Sequence, residues 1–252
     1  MSAGLQVKGR VALVTGANRG IGRALVEALL ERGARKVYAA ARKPEALAEL
    51  VAASEGRVVP LRLDITNGTE VQRAAAQADD VDLLINNAGV VGHGFAEFGD
   101  AAWLDAGRQE FETNVLGTLR VSQAFAPVLA RRAGGAIANI ISVAGLVGFP
   151  PIFTYSASKA ALHSITQTTR LLLRGQGTFV AGVYPGPVDT DMASEFTVPK
   201  ATAASAAHAI LDGLEQGIEE IYPDPFAVEY VDVYAVNPKG LEQRVATIGV
   251  AD

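Results

Sequence analysis

The chain has 252 residues, 49% hydrophobic and 19% charged, which suits one α/β domain with a sizeable buried core. A net charge of −5 with scattered basic residues argues against nucleic acid or an anionic membrane as the main partner. Without cysteine there are no disulfides, thiolate catalysis or Cys-ligated metals, and the three histidines, His93, His163 and His208, are dispersed with no HExxH spacing, so no metal site is expected.

Residues 1–10 lack the apolar stretch of a signal peptide, and residues 1–9 read as an N-terminal arm. Residues 11–14 form an apolar run of strand length. Thr15-Gly16-Ala17-Asn18-Arg19-Gly20-Ile21-Gly22 follows, and Ile21, Leu25, Ala28 and Leu29 then recur at helical spacing up to a stop at Gly33. A glycine-rich turn between strand and helix lets backbone approach a pyrophosphate, while the helix N-terminus offers N–H groups and positive dipole. The spacing is GxxxGxG, not GxGxxG. Residues 36–41 read as a second strand, whose end would meet the adenosine ribose. A carboxylate there would bind the ribose 2′-hydroxyl, but the position is Ala41-Arg42. Arg42, with Arg19 in the glycine turn, would attract a 2′-phosphate, which favours NADP over NAD.

Pro44 opens a helix running to about residue 54, residues 57–63 give a third strand ending in Asp64, and residues 69–78 a short helix. Residues 81–85 form a fourth strand, ending in Asn86-Asn87-Ala88-Gly89. The loop 90–100 holds His93. Residues 101–132 read as one long helical stretch with Asn114 in its middle, where a polar residue either hydrogen-bonds something or distorts the helix. The uncharged run 133–158 is long enough to cross a membrane but is broken by Gly134, Gly135, Gly145, Gly148, Pro150 and Pro151. It reads as a buried strand, 136–141, ending at Ser142 and followed by an apolar loop; the expected location is cytoplasmic. A helix over 155–174 comes next, then a sixth strand, 178–183, ending in Tyr184-Pro185-Gly186-Pro187-Val188-Asp189-Thr190. A short connection, a helix over 201–216 and a short strand at 219–222 lead to a partly helical tail, 223–252, packed on or near the domain. Strands alternating with helices imply a parallel, doubly wound sheet with its ligand crevice at the carboxyl ends of the strands, where Thr15, Arg42, Asp64 and Asn86 fall.

Tyr155 and Lys159 lie four residues apart, one turn along one helix face. A free phenol has a pKa of about 10. A cation held ~4 Å away at an effective dielectric of ~20 would favour the phenolate by roughly 4 kcal/mol, on the order of 3 pKa units. That would make Tyr155 a usable general acid or base.

The ordered set resembles the short-chain dehydrogenase/reductase superfamily in its classical branch, and an NADP-preferring carbonyl reductase-like member of it. The set comprises the glycine turn, Asp64, Asn86-Asn87-Ala88-Gly89, Asn114, Ser142, Tyr155 with Lys159, and Pro185-Gly186 with Thr190, and it spans residues 11–222. The resemblance implies a Rossmann-type sheet of about seven strands in the order 3-2-1-4-5-6-7, with helices on both faces. It implies that Tyr155 protonates a carbonyl oxygen as hydride arrives, or takes the alcohol proton in reverse. Lys159 would hold the nicotinamide ribose and depress the Tyr155 pKa. Ser142 would hydrogen-bond the substrate oxygen, and Asn114 would hold a water connected to Lys159. Asp64 would contact the adenine, Asn86 the adenosine ribose, and Thr190 with Val188 the carboxamide. The implied cofactor set also includes Gly16, Asn18, Gly20, Ile21, Ile65, Ala88, Gly89, Pro185 and Gly186, and basic residues at Arg19 and Arg42 go with NADP.

Two departures stand out. The short connection after Thr190 implies a small lid, and the tail lacks the ending common among tetrameric members. Subunit pairing is therefore expected through the helices around Asn114 and Tyr155, as a homodimer or homotetramer. Candidate substrate walls are His93, Phe95, Val143, Leu146, Val147, Phe149, Phe153, Val188, Met192 and Phe196. They are mostly apolar and contain no cation, which suits a small neutral ketone or aldehyde or the corresponding alcohol. The alternatives are a 3-oxoacyl thioester reductase, whose carrier would want a basic patch, and a non-catalytic cofactor-binding sensor, which would not need the proton-transfer residues.

Overall fold

A computed structural model describes residues 4–92, 98–132 and 135–246, so the candidates His93 and Phe95 lie outside the described residues. Its framework is a parallel sheet of seven strands: β1 (Val11–Thr15), β2 (Lys36–Ala41), β3 (Val58–Arg62), β4 (Leu83–Asn86), β5 (Ala136–Ile140), β6 (Phe179–Val183) and β7 (Glu220–Ile221). The strand order is β3-β2-β1-β4-β5-β6-β7, as the sequence implies. Strands β1, β5 and β6 are buried at every position, which is why they read as unbroken apolar runs rather than alternating ones.

Helices cover both faces. On one side α1 (Gly20–Glu31), α2 (Ala48–Ala53) and α7 (Ala203–Glu215) pack Leu25, Leu29, Leu50, Ile210 and Leu214 against Val14, Val37, Ile85 and Val183. On the other, α3 (Gly68–Gln77) and α5 (Thr118–Ala130) pack Val71, Val121, Phe125 and Leu129 against Leu13, Leu84, Ile137 and Val180. The chain reverses its winding between β1 and β4, and side chains lock that switch point. Thr15 Oγ1 accepts from the backbone N–H groups of Asn87 (2.9 Å) and Ala88 (3.0 Å), while Asn87 Nδ2 donates to Thr15 O (2.9 Å).

The stretch 101–132 is not one regular helix. It runs as α4 (Ala102–Glu110), a π-helical segment Phe111–Gly117, and α5. Asn114 lies within the wide turn, consistent with its side chain being bonded outside the helix. The helix expected from Pro44 likewise starts as a 3-10 turn, Pro44–Leu47, before α2. Helix α6 (Phe153–Leu173) starts two residues before Tyr155 and carries both Tyr155 and Lys159. The tail forms α8 (Pro225–Val236) and α9 (Pro238–Val245), each with proline in its first turn and a capping acid or amide, Asp224 or Asn237. Ala227, Tyr230, Leu241 and Val245 of the tail share a cluster with Val143, Ala144 and Phe149.

Candidate active site

A cavity of about 1270 Å³ opens at the carboxyl ends of the strands. One end is made mostly of backbone. Gly16 has φ +65°, and a Cβ there would lie 2.9 Å from Ala88 Cα; a Cβ on Gly22 would lie 2.2 Å from Gly16 O. Only bare glycines allow the turn to close this tightly against β4. Helix α1 begins at Gly20 with no side-chain cap and no acid in its first turn, so its N–H groups remain for an anion. Asp64 and Ile65 line the same end. Burial alone would raise the Asp64 carboxyl, but hydrogen bonds from Thr66 Oγ1 (2.7 Å) and Thr66 N (2.9 Å), with the Arg42 charge, hold it below its ordinary range. Arg42 is exposed at the rim and makes no ion pair among the described residues. Arg19 is also exposed and bonds Asp191 across the mouth at 3.0 Å. A bare turn, an uncapped helix start and a cation, Arg42, at a strand end that has no carboxylate of its own together fit a dinucleotide carrying an extra phosphate.

The reactive groups meet where β5 ends. Ser142 Oγ accepts from Ala144 N (3.1 Å) and donates to Pro185 O (3.3 Å), and its hydroxyl lies beside the Tyr155 phenol. One turn along α6, Lys159 Nζ donates to Ile140 O (2.9 Å) and stands 5.5 Å from the Tyr155 ring centroid. Ser158, between them, donates to Tyr155 O (2.7 Å) and accepts from Asn114 Nδ2 (3.0 Å). Asn114 in turn grips Val90 at both its N–H (2.8 Å) and its carbonyl (2.9 Å). A Cβ on Gly89 would lie 3.2 Å from Asn114 Oδ1 and 3.5 Å from Lys159 Nζ, so that bare residue lets both approach the turn after β4.

Burial pushes the Tyr155 phenol up to about 12; the Ser142 hydrogen bond works against this and the nearby Glu110 charge adds to it. Burial also brings Lys159 down to about 8. The expectation that Lys159 depresses the Tyr155 pKa is therefore corrected for the protein alone. Its ammonium bonds a backbone carbonyl, not the phenolic oxygen, and desolvation of the phenol dominates. Glu110 itself is 1% exposed, with Oε1 accepting from Gly92 N at 2.7 Å and Oε2 lacking a partner among the described residues.

The expected cofactor residues line the cavity apart from Asn86. Its Nδ2 turns into the helix layer, donating to Asn139 Oδ1 (2.8 Å) and Ser122 Oγ (2.9 Å), because β4 points that side chain away from the crevice. Of the substrate candidates, Val143, Phe149, Val188, Met192 and Phe196 line the cavity. Leu146 does not: it packs on Ile141, Leu162 and Tyr184. Phe153 packs tilted against Trp103 with centroids 4.4 Å apart and planes 45° apart, and Val147 joins the tail cluster. Sequence reasoning missed Ile152, Val198 and Phe226, which do line it, and the buried Glu110 and Asp224. Only the Asp224-Pro225 helix-start signature gave a local hint.

A switch-point crevice with a glycine cradle, a paired serine and tyrosine, and a lysine one turn on defines a short-chain dehydrogenase. Residues 10–200 match the family described as short chain dehydrogenase, and the chain belongs to that family of oxidoreductases. It is 36% identical over 196 residues to galactitol 2-dehydrogenase (L-tagatose-forming) of Cereibacter sphaeroides, covering 74% of each chain. It is 31% identical to ketoacyl reductase HetN of Nostoc sp., covering 97% of this chain and 91% of that one. Among solved structures, a short chain dehydrogenase from Burkholderia cenocepacia in complex with NADP matches with a TM-score of 0.89 and 43% identity, over 96% of this chain and all (100%) of that one. One from Burkholderia phymatum in complex with NAD matches at 0.81 and 26% identity, over 98% and 99%.

Proposed function

We propose that the protein is an NADPH-dependent reductase of a neutral ketone or aldehyde, working in reverse as an alcohol dehydrogenase. The observation that carries this reading is the placement of the Ser142 and Tyr155 hydroxyls and Lys159 together on the cavity wall where β5 ends. When bound, the nicotinamide supplies or accepts the hydride. Ser142 offers a hydrogen bond to the carbonyl oxygen and fixes its position. Tyr155 then gives that oxygen a proton, and the Lys159 charge, one turn away, stabilises the phenolate left behind. Arg42 at the rim, without a carboxylate at the end of β2, supports NADPH over NADH, as does the NADP-bound relative.

The ketoacyl reductase relative keeps a 3-oxoacyl thioester in view. Against it, the arginines and other lysine of the cavity wall (Arg19, Arg42, Lys43, Arg62) belong to the cofactor end, so the described substrate end of the wall carries no cation besides Lys159. The apolar side chains exposed on α4, the π segment and α6 (Leu104, Phe111, Leu116, Leu171 and Leu172) support pairing of subunits through those helices, as a homodimer or homotetramer. No described helix is long and apolar enough to cross a membrane, and a cytoplasmic site of action completes the reading.

NADPH oxidation followed across a panel of ketones and aldehydes tests the proposal. Tyr155→Phe should lower turnover by about 10²–10⁴-fold. Wild type and Tyr155→Phe equally inert across the panel would remove the enzyme reading.

A further inference from the structure

A buried carboxylate ties the C-terminal helices to the reaction centre. Asp224, 4% exposed, caps α8 by accepting from Ala227 N at 2.9 Å with Oδ1. Its Oδ2 accepts from Gly186 N at 2.8 Å. The preceding carbonyl, Pro185 O, receives the Ser142 hydroxyl (3.3 Å) and Val143 N (3.0 Å). One side chain thus ties the start of the tail to the turn that holds the catalytic serine. Gly186 must be bare for this, since a Cβ there would lie 2.7 Å from the Phe226 ring and 2.8 Å from Asp224 Oδ1.

That tie sets an aromatic slab against the cavity. Phe226 stacks on Tyr230 with centroids 4.0 Å apart and planes 17° apart, and Tyr230 stacks on Phe149 at 6.0 Å and 18°. Phe226 and Phe149 both line the cavity, with Tyr230 between them as a buried backing ring. Met192 and Phe196 add apolar surface from the connection after β6. Phe226 and Phe149, both held against the buried Tyr230 ring, thus give the cavity wall two aromatic groups of fixed orientation, which favours a planar apolar group over a small or flexible one.

We propose that this slab is the substrate-specificity wall, that it binds the aryl substituent of an aryl ketone or its alcohol, and that Phe226 sets the preference. The proposal rests on the carbonyl-reductase reading and narrows its substrate class. In the reduction, the carbonyl carbon takes the hydride of NADPH and the oxygen takes the Tyr155 proton, giving a secondary alcohol and NADP⁺.

The test is binding, not turnover. The dissociation constants of 2-acetylnaphthalene and of 2-butanone are measured by calorimetry or ligand-observed NMR on protein saturated with NADP⁺. The variants are wild type, Phe226→Ala and Phe226→Leu, the second keeping an apolar side chain on Tyr230 should the first unfold. Wild type should prefer the naphthyl ketone, and either variant should cut that preference, by roughly tenfold for alanine. Equal preference in wild type and variants, or no preference in wild type, overturns the proposal. Naphthyl binding that depends on Phe226 while no ketone is reduced keeps the wall and removes the reductase reading. Ketone reduction with a Phe226-independent preference does the reverse.

Discussion

The two ends of the cavity are built from different material. The cofactor end is mainly backbone, presented by residues within a few positions of strand ends: Gly16, Gly20, Ala88, Gly89 and the open start of α1. The substrate end is mainly side chain, with rings from the segment after β5 (Phe149), the connection after β6 (Phe196) and the tail after β7 (Phe226). Backbone contacts bind what every nicotinamide dinucleotide shares. Side chains from unrelated segments can be exchanged without disturbing the sheet, so they are where selectivity can vary.

Lys159 sits where the two ends join, and its loss should have the largest effect. Lys159→Met should lower turnover by about 100-fold or more. It should also stabilise the fold. The folded pKa of about 8 lies below the ordinary lysine value of 10.5, so at pH 7 the full penalty of burying the charge is present; it fades as pH rises from about 8 to about 10.5. Removing the group should add roughly 2 kcal/mol at pH 7, after allowing about 1 kcal/mol for the lost hydrogen bond to Ile140 O. Denaturant melts at pH 7 and pH 10 check the sign: the gain must shrink at the higher pH. A smaller effect is expected at the cofactor end alone. Arg42→Asp should weaken NADPH binding roughly thirtyfold and leave NADH binding unchanged or tighter, because a carboxylate there repels a 2′-phosphate and suits a 2′-hydroxyl. Fluorescence titration with both cofactors decides this, and unchanged NADPH affinity would remove Arg42 from the argument. The smallest effect is expected at the rim. Asp191→Asn frees Arg19 from its exposed pair and should tighten NADPH binding about twofold at low salt, with the difference gone at high salt.

The same division decides how much was legible in the sequence. The glycine turn could be read because strand, turn and helix are contiguous, and parallel topology then puts every strand end on one edge. Asn114 was read as a residue that must bond outside its helix or distort it; in the structure it is bonded to Val90 and Ser158 and lies in a π-helical turn. Leu146 and Phe153 were misplaced because wall position depends on which way a residue faces in the packed molecule, and the apolar loop gave no period from which to tell. Phe226 was missed because nothing local links residue 226 to Gly186; Asp224 makes that link across 38 positions. Asn86 showed the limit of a strand-end argument, since the position was right but the side chain points into the helix layer.

The amino-acid order by itself determined the doubly wound sheet, the cradle and the pairing of Tyr155 with Lys159 on one helix face, since all three rest on local spacing and on connections with little topological freedom. Tertiary structure alone decided that burial raises the Tyr155 phenol above its ordinary range, that Lys159 bonds a carbonyl rather than the phenol, and that the tail supplies an aromatic wall. Desolvation and ring stacking depend on what surrounds a group in space, and those neighbours come from segments far apart in the chain.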